Sequence, residues 1–206
     1  MSVATAEPSL AEAPEGPLNS VEATSLRAVA EHVADMLPEG FRVEILEGSI
    51  VVSPTPTPRH AEIIRCVRDQ LRSQLPQGLA CYENLATGLS GKNSDYSQPD
   101  LAVFPIAAAR EAEHWLQVPD LFEFALEVVS PSNARNDVEV KPGVYADMGI
   151  PIYLLVDPRD GSVLCHSDPR DGKFQTVDPI KFGDAVVLPE PLQDVRIETE
   201  EFVRYD

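Results

Sequence analysis

The sequence predicts an α/β or α+β fold: a sheet with helices on its faces and antiparallel hairpins in the C-terminal third. Three observations carry this reading. Stretches with helical apolar spacing alternate with short apolar runs of strand length, in the order helix, hairpin, helix, strands, helix, strands. Two of those runs, around LAVF (101–104) and IPIYLLV (150–156), are almost wholly apolar, as strands buried on both faces are. The last third repeats short β-like pieces split by two DPRDG turns.

Each element has its own signal. Residues 1–19 are rich in Ala, Pro and Glu without apolar periodicity, which predicts a disordered acidic tail preceding one domain over residues 20–206. Leu26, Val29, Ala30, Val33 and Leu37 recur at helical spacing, with Ser20 as the expected N-cap and Pro38 and Gly40 as the stop. FRVEIL and SIVVS flank Glu47-Gly48, a strand–turn–strand pattern. After PTPTP a second helix is expected over about 58–75. Ile63, Ile64, Val67, Leu71 and Leu75 form its apolar stripe, and Arg65, Arg68 and Arg72 fall nearly opposite. LACYENLA, PDLAVFP and FEFALEVVS read as strands, 134–148 as helix, and IPIYLLVDP as a strongly apolar strand. SVLCHS, KFQTV and DAVVLP follow as antiparallel pieces.

Composition bounds the function. The 206 residues suffice for one core without disulfide or metal staples, and 43% hydrophobic content is ordinary for a globular domain. The formal charge of −18 argues against binding DNA by bulk charge and against a basic membrane-surface protein. It does not exclude a nuclease, since a bound cation or a local basic face reverses the local field. Cys66, Cys81 and Cys165 are odd in number and lack CxxC spacing, as reduced thiols of a cytoplasmic protein are. The sequence has no run of about 18 apolar residues and its first residues lack the basic and apolar regions of a signal peptide, so neither a transmembrane helix nor a signal peptide is expected.

The chemistry concentrates in a few polar residues. Asp100 follows Pro99 and opens an apolar strand, and Glu127 lies among Phe124, Ala125, Leu126, Val128 and Val129. A carboxylate there requires compensation. Either the two converge on one hard cation such as Mg²⁺, or Asp100 caps a turn and Glu127 pairs with an arginine. Asp137 and Lys141, four apart, share a helix face with Tyr145 and Met148, as a functional pair or as a surface salt bridge. His60, on the Ile64–Val67–Leu71 side of its helix, either faces the site or packs in the core. Ser130 reads as a turn or cap residue or a substrate contact. Trp115 reads as a sheet-packing or interface residue, and Tyr153 as core.

The order PD (99–100), EVVSPS (127–132), Asp137, Lys141, Tyr145 and GIPIYLLVDP (149–158) resembles a bacterial family of putative restriction endonucleases with the PD-(D/E)XK nuclease fold. Glu44 in the hairpin, the Gly48 turn and SPTPTPRH with His60 match the same pattern, and the resemblance spans roughly residues 40–160. It implies a restriction-endonuclease-like core with a central mixed sheet flanked by helices. It further implies a metal-dependent endonuclease acting on DNA, with Asp100, Glu127, Lys141, Glu44 and His60 as catalytic residues. Mg²⁺, or Mn²⁺ in its place, would be held by Asp100, Glu127 and the Val128 carbonyl. The usual E-X-K lysine position falls at Val129, so the resemblance assigns the lysine to the following helix, at Lys141. Pro142-Gly143 directly after it predicts a break there.

Arg65, Arg68 and Arg72 are the expected nucleic-acid face, and pairing of two copies to cut two strands suggests a homodimer. Two rival readings accompany the nuclease. One is a non-catalytic scaffold that keeps the fold, suited to the negative charge and the Pro142-Gly143 interruption. The other is a metal-dependent hydrolase of a small phosphorylated substrate, which fits the charge but has no motif of its own.

Overall fold

In a computed structural model, residues 25–90 and 95–205 are described. The predicted tail and the Ser20 cap lie outside these residues. Among them the first helix, α1, runs Leu26–Met36 and is capped by Ser25, whose hydroxyl accepts from the Ala28 N–H. The cap is thus one residue before the first apolar position.

The predicted hairpin forms β1 (Arg42–Leu46) and β2 (Ser49–Ser53), paired Leu46 to Ser49. Its two-residue turn needs positive φ twice, which Glu47 (φ 47°) and Gly48 (φ 71°) supply. The Asp95 carboxylate accepts from both of their N–H groups, at 2.8 and 3.0 Å. Helix α2 covers Pro58–Gln74, with Pro58 in its first turn and Thr57 as N-cap. Strands β3 (Leu79–Tyr82), β4 (Ala86–Gly88), β5 (Tyr96–Ser97) and β6 (Leu101–Pro105) follow, then a short α3 (Ile106–Glu111) and β7 (Leu116–Gln117). The two-residue strands and α3 are too short to leave a periodic trace in the sequence.

Strand β8 (Phe124–Val128) and β9 (Ile152–Asp157) are parallel, joined by a crossover that contains α4 (Lys141–Asp147). Strands β10 (Ser162–Arg170) and β11 (Lys173–Lys181) form a long hairpin, and β12 (Ala185–Val187) pairs β13 (Arg196–Glu198). The second DPRDG does not end β10 at Asp168 as expected. The strand continues through Arg170, and only Asp171-Gly172 turns, with φ of 49° and 70°.

The central sheet has the order β11-β10-β9-β8-β6-β3, antiparallel except for β8/β9, and is therefore mixed. The β1–β2 hairpin belongs to a second sheet, β2-β1-β5-β4-β7, which the sequence did not predict. On one face of the central sheet Leu101, Val103, Leu126 and Val128 pack with Ile63, Val67 and Leu71 of α2. On the other, Ala102, Phe104 and Ala125 pack with Val144, Tyr145 and Met148 from the α4 region and Leu46 of β1. Strand alternation then divides β1: Val43 and Ile45 join α1, while Arg42, Glu44 and Leu46 face inward.

Candidate active site

The register of β6 and β8 builds the site. Leu101 pairs Leu126 and Ala102 pairs Ala125, so one further step sets Asp100 opposite Glu127 on neighbouring strands. Both are buried, Asp100 at 4% and Glu127 at 1% exposure. Glu44 arrives from the inward side of β1, at 1%, and α4 lays Lys141 across the acids.

The contacts are short. Lys141 Nζ lies 2.7 Å from Glu127 Oε1, 3.3 Å from Glu44 Oε1 and 3.7 Å from Asp137 Oδ1. Tyr145 Oη donates to Glu127 Oε1 at 2.7 Å. Ser97 Oγ donates to Glu44 Oε1 at 2.6 Å, and the Gln98 N–H to the same oxygen at 2.9 Å. Asp100 is held on both oxygens: Arg42 at 2.9 Å from Oδ1, and His60 Nε2 and the Val128 N–H at 2.9 Å from Oδ2. Every hydrogen bond to Glu127 among the described residues ends on Oε1.

Several expectations are thereby decided. Glu127 does not pair with an arginine; its partners are Lys141 and Tyr145. Asp137 and Lys141 do not form a surface bridge, since they are 5% and 3% exposed. His60 both packs and joins the site, 4% exposed and bonded to Asp100. Ser130 is a turn residue whose N–H donates to Asp137 Oδ2 at 3.2 Å, and it also lines the site cavity. Tyr153 is core, 0% exposed, its hydroxyl donating to the Asp137 carbonyl. Trp115 lies half exposed, edge-on to Tyr96 at 5.3 Å.

Pro142 does not destroy the helix. Residues 136–140 form a π-turn, in which the Lys141 N–H bonds the Asn136 carbonyl, and Pro142 opens α4. One wide turn absorbs the ring that an α-helical continuation would push into the previous turn, and leaves Lys141 aimed at the acids.

The arginine stripe differs from its expected role. Arg65 is paired with Glu62 and Asp69 at 2.7 and 2.8 Å, and Arg68 with Glu83 at 2.6 Å. Two of the three cations therefore face carboxylates already. Arg65 and Arg68 do line a hollow that reaches Asp100 from the α2 side.

Electrostatics follow from charge count. Four buried acids, Glu44, Asp100, Glu127 and Asp137, share two permanent cations, Arg42 and Lys141, with His60 beside Asp100. Burial and the neighbouring Asp100 and Glu44 charges push Glu127 up to about 8, against the pull of Lys141. Burial likewise raises Asp137. Asp100 is held well below the carboxylate range despite burial, by the His60 hydrogen bond and the Arg42 charge. Glu44 is lowered, its burial outweighed by Lys141 and its Ser97 and Gln98 bonds. Lys141 is raised, since the charges of Glu127, Glu44 and Asp137 outweigh its burial, and so stays an ammonium.

No three His, Cys, Asp or Glu side chains among the described residues form a metal cage. The oxygen donors present suit instead a hard cation with few protein ligands and the rest water or substrate. The surplus of buried carboxylate, and a cavity-lining Glu127 whose hydrogen bonds among the described residues all fall on Oε1, fit such an ion. Sequence reasoning missed Arg42, Ser97 and Tyr205. The signal for Arg42 was its place two residues before Glu44, on the same side of β1.

A buried carboxylate pair on adjacent strands, with a lysine delivered by the β8–β9 crossover helix, defines a restriction-endonuclease-like α+β protein. The Uma2 family, putative restriction endonuclease, matches over residues 30–200, and the chain belongs to it. The crystal structure of a putative nuclease belonging to DUF820 from Anabaena variabilis ATCC 29413 superposes with a TM-score of 0.64. It is 16% identical, and the match covers 86% of this chain and 96% of that one. A comparison with curated proteins gave no match. No helix among the described residues is long and apolar enough to cross a membrane.

Proposed function

We propose that the protein is a divalent-cation-dependent endonuclease that hydrolyses phosphodiester bonds in DNA. The observation that carries the reading is Asp100 opposite Glu127 on neighbouring strands, with Lys141 Nζ 2.7 Å from Glu127 and all three side chains buried. Asp100, Glu127 and the Val128 carbonyl would hold the ion, with Glu44 as a further oxygen donor. Bound there, Mg²⁺ or Mn²⁺ would neutralise the phosphate and acidify a water. Lys141, kept cationic by three acids, balances charge that develops on the phosphate rather than acting as a base. Tyr145 and Lys141 together fix Oε1 of Glu127, and Glu127 lines the cavity. His60 and Arg42 orient Asp100 and keep it ionised. This internal pairing of Asp100 is also the observation that favours the second reading, a scaffold whose acids neutralise one another's partners.

Thermal unfolding with and without Mg²⁺ or Mn²⁺ tests the reading, since an ion that binds only the folded chain raises its midpoint by mass action. A rise is expected in the wild type, and a much smaller one in Asp100→Ala and Glu127→Ala. Lys141→Ala should keep the metal response and lose cleavage, and Lys141→Arg should rescue it poorly. Metal stabilisation without cutting of duplex, single-stranded DNA or RNA would establish the scaffold instead. Cleavage that survives in all three alanine variants would place the active site elsewhere.

A further inference from the structure

Glu127 and Asp137, with Lys141 and His60, line a cavity of about 100 Å³ that is also lined by the loops around Ser53–Thr57 and Ser130–Asn133 and by Tyr205. Beside it opens a wider hollow of about 490 Å³, lined by Thr57, Pro58, Arg59, Pro131 and Tyr205. The two share Thr57, Pro131 and Tyr205, so they adjoin. Among the described residues no carboxylate lines the wider one, in a chain whose net charge is −18. Two proline rings and a phenol ring supply flat apolar surface, with a guanidinium at the edge.

Tyr205 is held in place. Its N–H donates to the Pro158 carbonyl at 2.9 Å, and the preceding Arg204 carbonyl accepts from Arg59 at 3.4 Å. Three residues earlier Phe202 is buried, edge-on to Phe182 at 5.4 Å. Tyr205 is part-exposed and lines both hollows. A fixed, part-exposed aromatic ring beside a phosphate-cleaving pocket is the arrangement on which single-stranded nucleic acids stack their bases.

Resting on the nuclease reading above, we propose that Tyr205, backed by Pro58 and Pro131, stacks an unpaired nucleobase next to the scissile phosphate. The preferred substrate is then a single strand or a frayed end. The burial of the acids points the same way. A phosphate must be drawn between two loops to reach Glu127, which a flexible strand permits and a stiff duplex resists. A base within a duplex also has both faces already covered by its neighbours.

The test uses the full chain and single-stranded oligonucleotides carrying 2-aminopurine, with Ca²⁺ in place of Mg²⁺ during binding. Wild type should quench the fluorophore at one register, and Tyr205→Phe and Tyr205→Trp should retain the quench. Tyr205→Ala should lose it and bind about tenfold more weakly, the scale of one base–aromatic stack. An abasic nucleotide at that register should cost wild type the same factor and cost Tyr205→Ala nothing, at low and raised salt alike. With Mg²⁺, wild type should cut single strands faster than blunt duplex, and Tyr205→Ala should lose that preference. An unchanged affinity in Tyr205→Ala, or an abasic penalty equal in both proteins, overturns the shelf. Wild type that cuts while ignoring Tyr205 overturns the shelf alone; wild type that cuts no nucleic acid overturns the nuclease reading with it.

Discussion

Tyr145 shows how closely the buried acids depend on single neutral groups. Its hydroxyl touches both Glu127 Oε1 and Ser97 Oγ, at 2.7 and 2.9 Å. Tyr145→Phe removes the hydroxyl that meets both oxygens in a buried network and should cost about 1–3 kcal/mol in urea unfolding. The Glu127 proton has a further consequence. Its folded value, about 8, lies above its ordinary 4.5, so the neutral form favours folding. The contribution is present in full below pH 4.5 and is lost as pH rises to 8. Glu127→Gln should therefore flatten the metal-free stability profile across that window, as read by thermal unfolding against pH. His166 titrates with the opposite sign. It lies against Tyr153 and Phe174 at 5.3 and 5.5 Å, with its Nε2 buried and unpartnered. Burial lowers it from 6.5 to about 4, so its neutral form favours folding above pH 6.5 and protonation unfolds as pH falls toward 4. His166→Phe should raise the thermal midpoint and raise it most at the acid end.

At the scale of elements, the crossover between β8 and β9 matters most, because it delivers Lys141 and Tyr145 together. The tip of the β10–β11 hairpin supports it. A Cβ on Gly172 would come within 2.5 Å of Asp147 Oδ1 in α4, whereas one on Gly48 would meet nothing within 4 Å. Both glycines have φ near 70°. Gly48→Ala should thus cost only the backbone term, about 1 kcal/mol. Gly172→Ala should cost more in urea unfolding, because it also pushes on the helix that carries the lysine. The difference between the two variants measures how firmly the hairpin tip buttresses the site.

At the scale of the whole molecule, the charge of −18 bears on the proposed DNA substrate. With Arg65 and Arg68 already paired to Glu62, Asp69 and Glu83, the α2 stripe offers little free positive charge. Replacing Arg65, Arg68 and Arg72 together by Ala should change the salt slope of DNA binding by no more than about 0.9, the value of one phosphate contact. A change near three such contacts, measured by fluorescence anisotropy across salt, would show that DNA displaces those acids.

What the sequence determined by itself is what local chemistry dictates. Apolar periodicity located α1, α2, the hairpins and the two core strands. Glu47-Gly48 set its turn because only residues tolerant of positive φ close it. The order of Pro99-Asp100, Glu127, Asp137 and Lys141 marked residues that the fold brings together, because a carboxylate inside an apolar strand demands a partner. Which partner was decided only by the tertiary structure. Arg42 and Ser97 come from a second sheet whose strands β4, β5 and β7 are two or three residues long and leave no pattern in the sequence. In place of the expected break at Pro142-Gly143, a π-turn over 136–140 leads into α4, and the contacts of Lys141 with three buried acids exist only once β1, β8 and the crossover have packed. The arginine stripe lost its free charge for the same reason in reverse. Periodicity places Arg65 and Arg68 on the outer face of α2, but only the fold brings Glu83 from the loop after β3 to within 2.6 Å of Arg68.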